Sequence, residues 1–375
     1  MTTTINNEHK KLNVPNLRFP EFQGEWEKCI LGDITENFNL RNKDKIQYPM
    51  FSVTNDRGFV PQSEQFEGRD MVGEDIKAYK IIHTNDFAYN PARINVGSIA
   101  MYTGEKPCMI SSLYVCFKTT KEVNNEWLMQ LLKTPKMNYY YNVNGEGGVR
   151  VYLFYPNFAR IRMSIPKIEE QKKIAKLLNL IDERIATQNK IIDKLQSLIK
   201  GIAQNVAHNN KPNISLSECL ECSSSTLQES DVCENGTYPV YGANGIVGYL
   251  DNYNTEKEAV YIIKDGSGVG TVSYVTGKCS ATGTLNILQA KEGNSLQYFY
   301  YLLKVLNFEP YKTGMAIPHI YFKDYGKAKV FCPSYTEQFQ YARLLSAIDN
   351  KLSAEQHILT NLSSQKQYLL RQMFI

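Results

Sequence analysis

The 375-residue sequence has few of the signals that mark membrane proteins, secreted proteins and disulfide-rich proteins. No apolar run approaches the roughly 18 residues of a membrane span. Residues 1–11 are polar and lack the apolar core of a secretion signal. We therefore predict a disordered N-terminus over residues 1–11 and a cytoplasmic protein. In that compartment the eight cysteines are expected to be reduced thiols.

Signatures of metal binding and catalysis are also scarce. Only Cys219 and Cys222 have metal-like spacing, and no second cysteine pair follows at the distance that a zinc site requires. The five histidines show no metal-binding spacing, and the glycine-rich stretch 266–271 lacks the Gly-Lys-Ser/Thr ending of a phosphate-binding loop. We predict no metal site and no catalytic residues.

No part of the chain is strongly basic, and the net charge of the chain is only +4. Residues 166–211 are the most basic part, with 9 Lys and Arg against 5 Asp and Glu, whereas residues 212–333 carry 9 against 12. This is not the composition of a strongly basic nucleic-acid-binding domain. Contact with a nucleic acid would therefore depend on local patches and on the architecture of the chain.

What the sequence does contain is a helical stretch of about 40 residues that occurs twice. An offset of 167 residues aligns the copy that begins at Pro166 with the copy that begins at Pro333, and no gap is needed. Such self-similarity indicates an internal repeat. Further aligned pairs are Glu170-Gln171 with Glu337-Gln338, Ala175 with Ala342, Leu177-Leu178 with Leu344-Leu345, Ile181-Asp182 with Ile348-Asp349, and Leu195 with Leu362.

Each copy carries an apolar column with alternating spacing of four and three residues. This spacing predicts two long helices that pack on each other, antiparallel, as a rigid spacer. A polar residue interrupts each column at the same place, and such a residue commonly fixes register. The alternative is two unrelated amphipathic helices in separate cores. The seam residues are Ile174, Leu178, Ile181, Ile185, Gln188, Ile192 and Leu195 in the first copy, and Leu345, Ile348, Leu352, Glu355, Leu359 and Leu362 in the second.

The remaining two segments resemble each other weakly but in the same order. Val96-Gly97 in the first, for example, corresponds to Val269-Gly270 in the second. Each segment consists mostly of short strand patterns and has one clear helix, near residues 125–133 and 295–305. We predict an α+β fold with two similar domains of small twisted sheets, separated by the two long helices in a pseudo-twofold tandem repeat. The predicted boundaries are 12–165 for the first domain, 166–211 for its helix, 212–333 for the second domain and 334–375 for its helix.

Four loops stand out because they occupy corresponding places in the two segments, and loops commonly carry function. They combine Arg, Asn, Lys or aromatic residues with glycine. Arg pairs with guanine and Asn with adenine at base edges, and glycine allows close approach of the backbone. For any single residue the alternative is an ordinary surface turn. The candidate DNA-binding residues are Asn90, Arg93, Asn95, Arg150 and Tyr152 in the first segment, and Lys264, Ser267, Lys312, His319 and Lys323 in the second.

These features together resemble a known family. Two globular segments that alternate with two long helices, with helix starts of the type Glu-Gln-x-x-Ile-Ala-x-Leu-Leu, look like the specificity subunit of Type I restriction–modification enzymes. Residues 17–34, which begin Leu-Arg-Phe-Pro and end Leu-Gly-Asp-Ile, are similar to the opening of many such subunits. Residues 86–95, Asp-Phe-Ala-Tyr-Asn-Pro-Ala-Arg-Ile-Asn, are similar as well.

The resemblance implies that each globular segment is a target-recognition domain, which reads one half of a split double-stranded DNA site in the major groove. It implies that the helices fix the gap and dock two modification (adenine methyltransferase) subunits, which restriction subunits then join. S-adenosylmethionine, ATP and Mg²⁺ would bind the partner subunits and not this chain. Four residues added to one helix add about 6 Å, close to two base-pair steps, so such an insertion is predicted to widen the gap.

Two other functions stay open on the sequence. One is a self-sufficient DNA adenine methyltransferase, although Asn90-Pro91 supplies only the first two residues of its catalytic motif. Binding of S-adenosylmethionine by the isolated chain would favour that function. The other is a coiled-coil adaptor without DNA contact, which would be excluded if mutation of Arg93 or Arg150 abolished DNA retention.

Overall fold

The computed structural model describes residues 12–65, 76–147 and 151–375. The predicted disordered N-terminus, residues 1–11, and the candidate Arg150 lie outside the described residues. In the part of the chain that is described, no helix is long and apolar enough to cross a membrane. The chain divides into two compact units. The first unit comprises the residues up to Thr187 together with Thr360–Ile375, and the second comprises Gln188–Leu359.

The first unit is built from short strands and short helices that pack against parts of the two long helices. Its largest sheet has four antiparallel strands in the order β2-β9-β6-β7, and three two-stranded sheets pair β1 with β10, β3 with β4 and β5 with β8. The strands are β1 (Glu27–Ile30), β2 (Thr35–Phe38), β3 (Phe51–Thr54), β4 (Gly58–Pro61), β5 (Lys80–Ile82), β6 (Phe87–Tyr89), β7 (Ile99–Met101), β8 (Cys108–Ile110), β9 (Val115–Thr119) and β10 (Arg162–Ile165). The short helices are α1 (Leu31–Ile34), α2 (Gln62–Gln65), α3 (Asn125–Leu132), α4 (Pro135–Asn144) and α5 (Tyr155–Ala159), with 3-10 turns at Ile76–Ala78 and Ile94–Val96.

The core of the first unit is strongly aromatic. Phe87 and Phe117, on neighbouring strands, stack with ring centroids 4.9 Å apart. Trp127 of α3 is fully buried in the same cluster and lies 6.0 Å from the ring of Phe374. Because aromatic side chains bury the largest areas, this cluster dominates the packing of the unit.

The second unit repeats this plan with different strands. A four-stranded antiparallel sheet runs β12-β18-β15-β16, a three-stranded sheet runs β14-β13-β17, and β11 pairs with β19. The strands are β11 (Ile214–Ser215), β12 (Leu220–Ser224), β13 (Tyr238–Gly242), β14 (Gly245–Leu250), β15 (Glu258–Ile263), β16 (Val272–Thr276), β17 (Ser280–Ala281), β18 (Leu285–Ala290) and β19 (Lys329–Val330). The short helices are α7 (Leu216–Cys219), α8 (Leu296–Val305) and α9 (Phe322–Tyr325), with 3-10 turns at Glu229–Asp231 and Glu309–Tyr311.

The two long helices are α6 (Ile168–His208, 41 residues) and α10 (Tyr335–Gln372, 38 residues). A capping box fixes the start of α10. The backbone N–H of Ser334 donates to a Glu337 carboxylate oxygen at 3.1 Å, and the N–H of Glu337 donates back to Ser334 Oγ at 3.4 Å. This reciprocal pair satisfies N–H groups that would otherwise lack partners at a helix start.

In the second unit the two helices contact each other along the predicted seam. Gln188 Nε2 donates to the backbone carbonyl of Glu355 at 3.0 Å and also to its carboxylate. Farther along α6, Ile199 and Ala203 pack with Leu345. Because residue numbers rise along α6 as they fall along α10, the helices run antiparallel in this unit. The other seam residues of the second unit, Ile192, Leu195, Ile348, Leu352 and Leu359, are buried or half-buried.

In the first unit the seam also joins the globular core. Ile174 and Leu178 are buried in the aromatic core together with Leu370 of α10. The ammonium group of Lys366 contacts the Asp182 carboxylate across the helix pair at 2.5 Å. These helix halves therefore belong to the packing of the unit as well as to the spacer. The remaining seam residues, Ile181, Ile185 and Leu362, are buried or half-buried.

The predicted mixed fold of small sheets and two long helices agrees with this architecture. The predicted short helices correspond to α3 and α8. The structure adds two details. Each unit contains several small sheets, and the first unit has an additional ten-residue helix, α4. The sequence of α4 has only a weak amphipathic pattern. In agreement with this, only Met137 and Tyr141 of the helix are buried.

Candidate functional site

Each unit brings two of the candidate loops together. We call residues 90–98 loop A and residues 145–154 loop B, and the corresponding residues of the second unit, 263–271 and 312–321, loop A′ and loop B′. In the first unit the N–H of Leu153 donates to the carbonyl of Pro91 at 3.0 Å. In the second, the N–H of Ile320 donates to the carbonyl of Lys264 at 2.9 Å. These residues correspond in the repeat alignment, so the same backbone hydrogen bond joins the loops in both units.

Loops A and A′ have similar backbone conformations. Each is closed at its base by one hydrogen bond of 3.0 Å, from Asn90 N–H to the Ser98 carbonyl and from Ile263 N–H to the Thr271 carbonyl. Each also requires glycine near its end. Gly97 has φ +101°, and a Cβ there would lie 3.1 Å from the Asn55 carbonyl oxygen. The left-handed backbone and the close approach both favour glycine.

Loops B and B′ are closed by paired backbone hydrogen bonds. Glu146 and Tyr152 exchange two bonds of 2.8 Å. Thr313 and His319, which correspond to them at the 167-residue offset, exchange bonds of 2.9 and 2.7 Å. The residue that follows each pair, Leu153 or Ile320, is the one that bonds to loop A or A′. Each unit therefore presents one joined pair of loops.

The candidates in the first unit divide into anchored and exposed side chains. Asn90 Oδ1 accepts from the N–H of Ala92 at 3.0 Å, and Asn95 Nδ2 donates to Asn142 Oδ1 on α4 at 3.0 Å. Arg93 is exposed at the start of the 3-10 turn of loop A. Tyr152 is 38% exposed and stacks on another aromatic ring. Among the described candidates of this unit, Arg93 and Tyr152 are therefore the side chains most open to a ligand.

The candidates in the second unit surround loop B′. His319 Nδ1 lies 2.6 Å from a carboxylate oxygen of Asp265 in loop A′, so a side-chain contact reinforces the backbone junction. Ser267 is exposed and Lys264 is half-buried. The remaining two candidates are Lys312, whose ammonium group contacts Glu309, and Lys323, which lies over the ring of Tyr321 at 5.3 Å.

A buried glutamine, whose contacts are not evident from the sequence, attaches each globular segment to its long helix. In the first unit Gln171 Oε1 accepts from the N–H of Asn124 at 2.8 Å, and its Nε2 donates to the Pro166 carbonyl at 2.9 Å. Asn124 is the N-cap of α3. The side chain of Gln171 is only 1% exposed. The amide therefore fixes the start of α3 to the first turn of α6.

The equivalent residue of the second unit makes the same bonds. Gln338 Oε1 accepts from the N–H of Ser295, the N-cap of α8, at 2.9 Å, and its Nε2 donates to the Pro333 carbonyl at 3.0 Å. The Glu-Gln pair repeated in the sequence marked these positions. Their partners at the helix N-caps, Asn124 and Ser295, could not be identified because they lie more than 40 residues away along the chain.

A second contact repeats about three turns farther along each long helix, with different donors. In the first unit Gln130 Nε2 donates to Asp182 at 2.8 Å. In the second unit the Tyr301 hydroxyl donates to Asp349, the equivalent aspartate, at 3.0 Å. Each globular segment is thus attached to its helix at two defined points, which constrains how its loops are oriented on that helix.

Replacement of Gln338 by alanine is expected to lower the free energy of unfolding of the second unit by about 1–3 kcal/mol, because buried hydrogen-bonding groups would lose their partner. Urea unfolding followed by far-ultraviolet circular dichroism measures this change. Gln340→Ala on the exposed face of α10 is the matched control, with an expected change within about 0.5 kcal/mol. Equal effects of the two substitutions would contradict the role proposed for Gln338 in attaching the second segment to α10.

Burial makes Cys219 and Cys222 poor metal ligands. It raises the pKa of the Cys219 thiol to about 12 and that of Cys222 to about 11. Metal binding and nucleophilic attack require the thiolate. Within the described ranges, no three His, Cys, Asp or Glu side chains are grouped so that they could hold a metal ion.

Comparison with known proteins assigns the family. The sequence matches the family described as the type I restriction modification DNA specificity domain over residues 23–197 and again over residues 213–364. Because the two matches cover most of the chain, this protein belongs to that family. The two matched regions coincide with the two halves of the internal repeat.

Individual relatives agree with this assignment. The chain is 26% identical over 204 residues to a protein of Methanocaldococcus jannaschii named as the specificity subunit of the type I restriction enzyme MjaX. That match covers 52% of this chain and 48% of the relative. A specificity subunit of the type I enzyme EcoprrI of Escherichia coli is 27% identical over 116 residues, which cover 31% of this chain and 29% of that protein. The alignments thus span about half, or less, of these curated relatives.

Solved structures share the fold. A type I restriction–modification S subunit from M. genitalium superposes with a TM-score of 0.67 at 17% identity, over 96% of this chain and 99% of that one. A chain from a study of complex assembly and conformational transition of the type I system superposes with a TM-score of 0.53 at 14% identity, over 92% and 96%. At these identities the likeness establishes the fold.

Proposed function

We propose that this chain is the non-catalytic DNA-recognition subunit of a type I restriction–modification complex. Each globular segment reads one half of a bipartite DNA site, and α6 and α10 set the distance between the halves and dock the methyltransferase subunits. The observation that carries the proposal is the repeated pair of joined loops. One backbone hydrogen bond, in equivalent positions, holds loop A to loop B and loop A′ to loop B′.

The repeated loops suit a bipartite DNA site for physical reasons. Two equivalent loop pairs on one chain can each contact one short block of base pairs. Exposed Arg93 matches the donor geometry that reads guanine in the major groove. Lys264 and Lys323 supply positive charge near loops A′ and B′ for phosphate contacts. The base-edge contacts would supply specificity, and the phosphate contacts would position the protein.

The finer assignments belong to the same proposal. The target-recognition domains span 12–165 and 212–333, and the spacer helices span 166–211 and 334–375. Two modification subunits bind the spacer, and restriction subunits join them in the cytoplasm. S-adenosylmethionine, ATP and Mg²⁺ bind those partners. Arg150, Ser267, Lys312 and His319 remain candidate DNA contacts together with Asn90, Asn95 and Tyr152.

A map of methylated adenines tests the proposal directly. DNA from cells that contain this chain with its modification partner is compared with DNA from cells that lack the chain. A new motif of two short defined blocks, separated by a fixed unspecified gap, is the expected result. Absence of new methylation, with a partner shown to be active on another specificity subunit, would exclude the proposal and favour the adaptor function.

Replacement of Arg93 by alanine is expected to weaken site-specific DNA binding by about 1–3 kcal/mol and to relax the specificity at one position of one half-site. Binding of the complex to duplexes varied at each position of that half-site measures both effects. Lys121→Ala removes an exposed charge outside loops A and B and serves as the control. Unchanged binding by the Arg93 variant would remove Arg93 from the set of base contacts.

A further inference from the structure

The middle of loop B′ forms an apolar tip that is exposed to solvent. The Met315 side chain is fully exposed, at 106% of its reference area, and Ile317 is 58% exposed. Single exposed apolar residues are common on protein surfaces. Here, however, two of them lie at the tip of the loop that the proposed function assigns to DNA contact, and the backbone beneath them is firmly held.

Four features fix this backbone. Thr313 and His319 exchange paired hydrogen bonds at the base of the loop. Gly314 has φ +87°, and a Cβ there would lie 2.3 Å from the Ile317 carbonyl oxygen, so only glycine fits the turn. From outside loop B′, the N–H of Gly266 donates to the Pro318 carbonyl at 3.0 Å. With the His319–Asp265 contact described above, these bonds hold the tip in place.

A rigid apolar tip is suited to a contact with an apolar group of a partner. Because its backbone is already ordered, binding would cost little additional conformational entropy. The charge around the tip limits the kind of partner. The carboxylates of Asp265 and Glu309 are each engaged by a basic side chain, His319 and Lys312 respectively. Lys264, whose carbonyl accepts from the N–H of Ile320, and Lys323, which lies over the ring of Tyr321, add positive charge next to loop B′. An apolar tip with cationic flanks fits an anionic surface that also exposes an apolar group.

The major groove of DNA offers that combination. Its edges carry phosphates, and its floor presents one apolar group, the 5-methyl group of thymine. We infer that Met315 and Ile317 contact thymine methyl groups in the half-site that the second segment reads. This inference rests on the proposed function. At the 167-residue offset the corresponding residues of the first segment are Gly148 and Arg150. The inference therefore assigns thymine-methyl contacts to loop B′ and not to loop B.

Replacement of thymine by uracil tests the inference, because deoxyuridine lacks only the 5-methyl group. The complex of this chain with its modification partner is bound to duplexes that carry the mapped site, with one thymine at a time replaced. We expect one or two positions of the second half-site at which uracil weakens binding about fourfold, the effect of one buried methyl group. Met315→Ala should weaken binding to the thymine duplex and remove the sensitivity to uracil at one of these positions. Met315→Leu should retain it.

The thymines of the first half-site provide the internal control. Uracil there should have the same effect on the wild-type complex and on the Met315→Ala complex. Specific binding without uracil sensitivity in the second half-site, or a second half-site without an A·T pair, would overturn the inference. If Met315→Ala weakened binding to the thymine and uracil duplexes equally, the inference would be overturned too. That result would indicate that Met315 is inserted between base steps. Failure of the proposed function is distinct, because the wild-type complex would then show no site-specific binding.

Discussion

Insertion of four residues into each long helix is expected to shift methylation from the original motif to one whose gap is about two base pairs wider. Four helical residues add about 6 Å, and one base-pair step is about 3.4 Å. The two half-site sequences should stay the same, because the recognition loops are unchanged. Methylation at the original motif should be lost, since two half-sites at the wrong spacing cannot both be bound. A map of methylated adenines measures all three outcomes.

The structure indicates where the insertions should be placed. The compact units meet along the chain between Thr187 and Gln188 in α6 and between Leu359 and Thr360 in α10. Insertions at these two points leave the contacts inside each unit unchanged, including the bond from Gln188 to Glu355. Each insertion turns the helix about 40° beyond one full turn, so the new motif should be methylated more slowly than the old one.

An insertion of the same four residues after Glu292 is the matched control. This residue lies in an exposed turn of the second unit, next to Gly293, where a Cβ would meet no atom within 4 Å. The control should keep the original motif and gap. If the helix insertions also leave the gap unaltered while methylation continues, the helices do not set the spacing.

Replacement of Arg18 by alanine is expected to destabilise the first unit by about 3–5 kcal/mol, because it leaves a buried carboxylate unpaired. Arg18 Nε and one terminal nitrogen each contact a carboxylate oxygen of Glu170 at 2.8 Å. The Glu170 side chain is only 2% exposed. Trp26 Nε1 also donates to it at 3.3 Å. Removal of the arginine therefore leaves this buried carboxylate without its cationic partner, and only the Trp26 N–H still contacts it.

Tryptophan fluorescence measures this change selectively. The sequence contains two tryptophans, Trp26 and Trp127, and both are buried in the first unit. Urea unfolding followed by fluorescence should thus show the loss. The control is Lys173→Ala, which breaks the exposed ion pair between Lys173 and Glu21 on the same helix and N-terminal segment. That change should cost less than about 1 kcal/mol. Similar losses in both variants would mean that burial of the Glu170 charge is unimportant.

The long helices were the most predictable part of the fold. Their seams repeat over many turns, and a capping box at Ser334 fixes one start, so local sequence carries enough information. The placement of Gln188 against Glu355 also follows from the sequence, because both interrupt the column at the same repeat position. Polar residues that meet inside an apolar seam are typical register markers.

The candidate site was less predictable. The sequence placed Arg93 and Ser267 in corresponding loops, but it did not indicate that loops A and B are joined. That junction depends on backbone groups, which every residue has, so no residue type marks it. Asn90 shows the same limit. Its carboxamide oxygen caps the turn of loop A, a local role that competes with contact to a ligand.

The division of the chain into units determines the order in which they can be completed during synthesis. The second unit is one continuous stretch, Gln188–Leu359, and it can close as soon as that stretch has left the ribosome. The first unit also needs Leu370 and Phe374, which pack into its aromatic core and are translated later. Until then the apolar surface around Trp127 is exposed to solvent, and exposed apolar surface promotes aggregation. The unit whose synthesis starts first is therefore the last to be completed.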